Sequence, residues 1–392
     1  MLAEAQENYK KERKFKFSTP AKFKPEKKFL NEIDSMALCN AQLNLGLAFS
    51  DYIKDKKDPT KTRKHGFPKF KCRKTARKAY TTNCITDRNN IRIVGDCLRL
   101  PKLGLVKAVF HRRVEGKIKS VTVSQTGSGV YYASIAVELP DLPKIKPDLT
   151  KVIGLDFSFA CLFVANEGTK TKYIRWFKQA EDKLARAQRR LSHKVYGSRG
   201  YEKQLIKVAR IHESIANKRL DCLYKLAKEI LDKYDVFVVE DIDLVAMAKR
   251  GKRRRFGKTI MDLGFGLFRD ILKRKAEEVG KLFFKAPRFF ASTQLCSACG
   301  YKNTDLKGLD NADIRSWTCP QCGTFHDRDV NAAQNLVNWF RTELNTGALP
   351  GINAEGDVVP TSEPVRSKRR RGFRKKCKTV DLACPSIIGG VS

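Results

Sequence analysis

The sequence predicts a multidomain α/β protein whose strand-and-helix core carries a small metal-held knot near the carboxyl end. Three observations predict it. The chain has 392 residues, more than one hydrophobic core usually organises. Two apolar runs, Val152-Ile153-Gly154-Leu155-Asp156-Phe157 and Val236-Phe237-Val238-Val239-Glu240, read as buried strands ending on or beside a carboxylate, with a long helical stretch between them. Two Cys-x2-Cys pairs stand between the second carboxylate and a third, Asp329, which opens a helix. Hydrophobic residues make up 42% of the chain, enough for real cores, which excludes global disorder.

Charge narrows the function. Lys and Arg number 79 against 42 Asp and Glu, a net of +37. Such an excess repels itself unless a polyanion neutralises it, which favours a nucleic-acid partner over a merely basic protein. No apolar run approaches the ~18 residues of a bilayer span. The start, Met1-Leu2-Ala3-Glu4, is polar and acidic rather than a secretory signal. Eight of the twelve Cys fall singly in apolar or basic stretches. That is reduced-compartment usage, so the chain reads as intracellular and free of the membrane.

Taken in order, residues 1–30 are Lys- and Phe-rich with Pro20 and Pro25, an irregular composition. A helix follows, capped by Asp34 or Ser35, with Leu38, Ala41, Leu45, Ala48 and Tyr52 at helical spacing. Residues 54–78 form a basic arm with twelve Lys/Arg, interleaved with Phe67, Pro68 and Phe70. Rings between cations can stack on bases while Lys69, Lys71, Arg73, Lys74 and Arg77 track phosphates; the bland reading is a solvated loop whose rings pack on the body. Residues 80–140 alternate as β-strands around the turns Gly95-Asp96 and Gly127-Ser128-Gly129. Pro140, Pro143 and Pro147 mark a linker. Strands at 152–157, 161–165 and 172–177 predict a meander, and 178–231 predicts two basic amphipathic helices broken at Gly197-Ser198-Arg199-Gly200. Residues 249–258 hold seven Lys/Arg, including Arg253, Arg254 and Arg255, and no acid, a candidate lid or substrate guide. A helix at 264–279 and a strand at 281–285 lead into the cysteines, and a basic, disordered tail occupies 346–392.

Two motifs carry chemistry. Cys296-x2-Cys299, nineteen residues, then Cys319-x2-Cys322 presents four thiolates to one ion, each pair followed by a glycine that permits the tight turn. A closed four-thiolate shell leaves no open position, so Zn²⁺ there holds the fold and does no catalysis. The acidic trio is Asp156, Glu240 and Asp329. Each alone is an ordinary cap or turn residue. Together, on a first strand, a later strand and a helix start, they match the way a ribonuclease-H-like fold gathers a Mg²⁺-dependent two-metal nuclease site. Asp241 and Asp243 adjoin Glu240, and Asp327 competes for the third place. Asp329 is preferred because Asn331-Ala332-Ala333 follows it, small residues that let the helix start approach the sheet. The five His form no H-x-x-x-H pair, and no Ser-His-Asp arrangement, Walker loop or dinucleotide fingerprint occurs.

At these residues the chain resembles the TnpB (OrfB) proteins of bacterial insertion sequences, relatives of the compact type V CRISPR effectors. The resemblance spans roughly residues 1–345. It includes Asp34-Ser35-x-Ala37-Leu38-x-Asn40-Ala41-Gln42, Gly66-Phe67-Pro68-Lys69-Phe70-Lys71, Leu100-Pro101-Lys102-Leu103-Gly104, Gly154-Leu155-Asp156, Val239-Glu240-Asp241, the four cysteines, and Asp327-Arg328-Asp329-Val330-Asn331-Ala332-Ala333.

The resemblance implies a RuvC-like nuclease domain with an inserted zinc ribbon, preceded by a helical recognition part and a β-barrel-like wedge domain. Its implied map is 1–60 helical recognition, 61–145 basic arm and wedge, 151–290 nuclease core with the hairpin and lid 249–258, 291–324 zinc ribbon, 325–345 final nuclease segment and 346–392 tail. It implies Asp156, Glu240 and Asp329 as magnesium ligands, a guide RNA from the element's end, target DNA beside a short motif, and a cytoplasmic bacterial setting, at the nucleoid when DNA is bound. Two departures stand out. The chain starts inside the family's first helix, so the wedge is expected to lack its first strand and expose an edge. Ser158 stands where relatives often carry Gly. Two rival readings are a truncated copy that occupies DNA without cutting and an accessory transposition factor.

Overall fold

The computed structural model describes residues 1–12, 17–58, 65–71, 78–85, 89–140, 145–244, 247, 257–306, 314–347, 349 and 378–380. Arg73, Lys74, Arg77, Arg253, Arg254, Arg255, nearly all of the 249–258 lid and most of the 346–392 tail lie outside them. The chain divides into two compact units, Met1–Asp141 with Arg371–Ser392, and Leu142–Arg370.

The first unit opens with α1 (Leu2–Glu12), which corrects the irregular reading of the amino-terminal residues. Leu2, Ala5 and Tyr9 share a helix face, and Ala5 is fully buried. Glu4 turns the following segment back by accepting hydrogen bonds from the Ser18 amide and hydroxyl at 2.8 and 2.6 Å. α2 (Ser35–Lys57) is capped by Asp34, whose carboxylate accepts from Met36 N and Ala37 N. Phe67 of the basic arm packs on Phe49 and Tyr52 with ring centroids 5.7 and 5.2 Å apart, so this ring belongs to the body. Phe70, Lys69 and Lys71 remain exposed.

Strands β1 (Lys78–Asn83), β2 (Arg92–Val94), β3 (Cys97–Leu100), β4 (Gly104–Lys107), β5 (Lys117–Gln125) and β6 (Tyr131–Glu138) follow. They form two antiparallel sheets, β2-β3-β4 and β1-β5-β6, the latter extended by Lys378–Val380. Ile91, Leu98 and Leu100 meet Val121, Ile135 and Val137 in one core between the sheets.

The second unit is built on β7 (Val152–Phe157), β8 (Phe163–Ala165), β9 (Val236–Glu240) and β10 (Leu282–Ala286) in the order β10-β9-β7-β8, with only β8 antiparallel. The helices described in it include α3 (Trp176–Ser192), α4 (Arg199–Lys233), α5 (Gly257–Leu263), α6 (Phe265–Val279) and α7 (Arg328–Asn345). Strand residues alternate between faces. Ile153, Leu155, Phe237 and Val239 pack with α4 and α6. Val152, Val236 and Val238 pack with Leu336, Val337 and Phe340 of α7. The same alternation puts Gly154, Asp156 and Glu240 on the α7 face.

The expected third strand of the meander is absent. A single bridge, Val164 to Lys170, takes its place, and α3 begins at Trp176. The cause is a cap supplied from far along the chain. Asp262 accepts from Phe177 N at 2.8 Å and Lys178 N at 3.2 Å, so the helix starts where that carboxylate can satisfy its free amides.

Gly154 is the point of closest approach. A Cβ there would sit 2.2 Å from Ala333 O and 3.0 Å from Val337 Cγ2. Since Ala333 is helix backbone, α7 would have to lift off the sheet. Gly154→Ala is expected to destabilise the protein by about 3 kcal/mol, the upper range for overpacking. Thermal melting checks this, and an unchanged melting temperature contradicts it.

Candidate functional site

The three sequence-predicted acids come from three different elements. Asp156 is on β7 and Glu240 ends β9, one residue beyond the last paired position, Leu155 opposite Val239. Asp329 lies in the first turn of α7. Close packing of α7 at Gly154 brings that turn over the carboxyl ends of the strands. Asp156 is 4% exposed. Burial, then the charges of Glu240 and Asp329, push its carboxyl well above the ordinary range, opposed by Arg328. Burial alone raises Glu240 to about 7. The three carboxylates are not all within 4.8 Å of one another; drawn together on one ion, such oxygens would suit a hard cation such as Mg²⁺.

The neighbouring acids are engaged elsewhere. Asp327 caps α7, accepting from Asp329 N at 3.0 Å and Val330 N at 3.2 Å, and pairs with Lys170 at 3.0 Å. Burial opposes these bonds, yet Lys170 and the helix amides hold its carboxyl below the usual value. Asp241 meets Lys285 at 3.4 Å and Arg288 at 3.7 Å. Asp329 has weaker partners, Ser158 Oγ at 3.4 Å and Arg315 at 3.5 Å.

Among the described residues, Cys296, Cys299, Cys319 and Cys322 are the one group of three or more potential ligands whose donor atoms all lie within 4.8 Å. A tetrahedral zinc with Zn–S bonds of about 2.3 Å needs sulfurs about 3.8 Å apart. Cys296–Cys322 and Cys299–Cys319 are each 3.7 Å apart, so the knot fits that ion.

Sequence reasoning missed how the knot is fastened to α7. Asn331 Nδ2 donates to Leu295 O at 2.6 Å, and its Oδ1 accepts from Ser297 N at 2.9 Å. Asn335 Nδ2 donates to Ser292 O and Leu295 O at 2.8 and 2.7 Å. Arg328, 7% exposed, reaches Leu306 O at 3.2 Å and Ile314 O at 3.4 Å. His326 Nε2 lies 3.0 Å from Cys296 Sγ, its ring against Trp317. The available signal was the recurrence of Asn at 331 and 335 on an otherwise apolar helix face.

A partly buried carboxylate raised toward neutrality is a stability statement. Glu240 binds a proton more tightly folded than unfolded. Its contribution is therefore most favourable below its ordinary value of 4.5 and is lost as pH rises through about 7. Glu240→Gln is expected to raise the melting temperature at pH 8 in magnesium-free, chelator-free buffer, the gain shrinking toward pH 5. A gain independent of pH contradicts this.

Comparison with known proteins shows the family. A family model described as "Probable transposase" (OrfB_IS605) matches residues 134–251, and one for the Cas12f1-like TNB domain matches 265–336. A Streptomyces pristinaespiralis protein with the provisional name RNA-guided DNA endonuclease is 31% identical over 314 residues, covering 79% of this chain and 72% of the relative. InsQ of Escherichia coli K12, provisionally named in the same way, is 28% identical over 356 residues, 88% of this chain and 81% of the relative. A solved Cas12f1–sgRNA–target DNA complex aligns over 86% of this chain and 79% of that one at 14% identity and a TM-score of 0.49, too weak a likeness to bear on function. With nearly a third of its residues shared along most of a relative's length, and both models placed over the acids and the cysteines, the chain belongs to the TnpB (OrfB) family of insertion-sequence proteins.

Proposed function

We propose that this protein is an RNA-guided DNA endonuclease that hydrolyses phosphodiesters at Asp156, Glu240 and Asp329. The observation that carries the reading is the buried Asp156 and the partly buried Glu240 on the sheet face covered by α7, with Asp329 in that helix's first turn. Buried acids of this kind are costly unless neutralised, and membership of the family supports the nuclease assignment. When bound, two Mg²⁺ ions would activate the attacking water and stabilise the charge on the leaving 3′ oxygen.

The protein's own residues supply position and selectivity. β7 and β9 hold Asp156 and Glu240 in parallel register, and the Asp327 cap fixes the backbone of Asp329. Lys170 and Arg288 pair with the flanking acids Asp327 and Asp241. Arg328 lies close enough to lower Asp156 while it grips the cysteine knot. The knot then serves as a Zn²⁺-held brace on the helix that carries Asp329. The net charge of +37 suits a large polyanionic cargo of guide RNA and target DNA. Among the described residues, no helix is long and apolar enough to cross a membrane.

Two experiments test this reading. Co-expressed with a guide transcribed from its element's end, the protein should cut a plasmid library randomised beside one target, in a Mg²⁺-dependent manner. Asp156→Ala should abolish cutting, and cutting that survives it contradicts the assignment. Cys319→Ala should lower bound zinc and the melting temperature together, and full zinc occupancy in that variant sinks the ribbon reading.

A further inference from the structure

The rim beside Glu240 carries an aromatic ring that the protein's own packing leaves unused. β10 runs parallel to β9 with Ala286 opposite Glu240. A turn follows at once, Phe290 N donating to Pro287 O at 2.9 Å. Phe290 is directed onto Trp339, ring centroids 6.5 Å apart. Phe289 is 93% exposed, the highest value among the described large apolar side chains. Three residues of chain span at most about 11 Å, so Phe289 stays within that reach of the residue paired with Glu240. Arg288 adjoins it in sequence, and Lys285 and Arg288 both meet the carboxylate of Asp241, so two cations stand beside the ring.

We propose that Phe289 is a stacking platform for an unpaired base in the strand being cut, with Lys285 and Arg288 facing the adjoining phosphates. This rests on the nuclease reading of Asp156, Glu240 and Asp329. A phosphodiester drawn to those acids brings its neighbouring bases to the rim. A flat ring between cations matches a base face and its backbone, whatever the sequence. One isolated ring flanked by charge is too small and too polar in setting for a protein-docking patch. Placement so near the acids makes Phe289 a substrate-positioning residue that sets which nucleotide is held beside the scissile bond.

The test uses the guide-loaded complex and target DNA bearing one abasic nucleotide at successive positions around the cut. Phe289→Ala should slow single-turnover cutting about thirtyfold, the middle of the range for losing one base–aromatic stack. Phe289→Trp should retain the wild-type rate. One abasic position should slow the wild type by a similar factor yet leave Phe289→Ala no slower than on intact DNA. Because the ring is exposed, the melting temperature of Phe289→Ala should match the wild type. In the non-cutting Asp156→Ala background, fluorescence of 2-aminopurine scanned along the strand should be quenched at the stacked position and lose that quench in Phe289→Ala. Wild-type cutting by Phe289→Ala, a defect that adds to every abasic position, or an unchanged 2-aminopurine profile overturns the proposal. If Asp156→Ala still cuts, the nuclease reading fails and takes the stacking proposal with it. If Asp156→Ala is silent and Phe289→Ala cuts normally, only the stacking proposal is lost.

Discussion

The second unit depends on one contact, the backbone of α7 lying directly on Gly154 of β7. No side chain fits between them, since even a methyl group would fall 2.2 Å from the Ala333 carbonyl. That approach buries Ala332, Ala333 and Leu336 completely and sets the height of the helix above the sheet. Asp329 belongs to the same rigid helix, so its place over the ends of β7 and β9 follows from packing four residues away. The glycine of Gly154-Leu155-Asp156 and the alanines of Asn331-Ala332-Ala333 are two halves of one joint.

A second consequence is electrostatic. The joint brings Asp156 into the buried interior, with Glu240 and Asp329 partly exposed beside it, while the neighbouring acids meet fixed cations. Asp327 has Lys170 and the helix amides, and Asp241 has Lys285 and Arg288. Asp156 and Glu240 are left raised. A chain selected for stability alone would fill these positions with apolar residues, as it does at Val152 and Val238 on the same face. The cost is explicable if the acids are kept for a divalent ion. The cysteine knot completes the arrangement, because Asn331, Asn335 and Arg328 tie its loops to the helix that carries Asp329.

Much of this was legible in the sequence because it follows from local periodicity. The strands ending near Asp156 and Glu240, the hairpin broken at Gly197, the Asp34 cap and the cysteine spacing depend on neighbours a few residues away. The failures have the opposite character. α3 starts at Trp176 because Asp262, more than eighty residues on, caps it. Composition alone missed α1, because prolines at 20 and 25 weighed against a helix that ends at Glu12, before either, although the resemblance implied a helix there. Phe67 and Phe70 were alike in sequence, yet one packs on Tyr52 and the other faces solvent. The Asn contacts to the knot are long-range hydrogen bonds that helical spacing could only hint at.

The central claim, that Asp156, Glu240 and Asp329 form the ion site while Asp327 only caps the helix, is tested most directly by counting bound Mn²⁺. Electron paramagnetic resonance on zinc-loaded protein would compare the wild type with Asp329→Asn and Asp327→Asn. The account predicts that Asp329→Asn loses Mn²⁺ and that Asp327→Asn retains it with a lower melting temperature. Retention by Asp329→Asn together with loss by Asp327→Asn would contradict it.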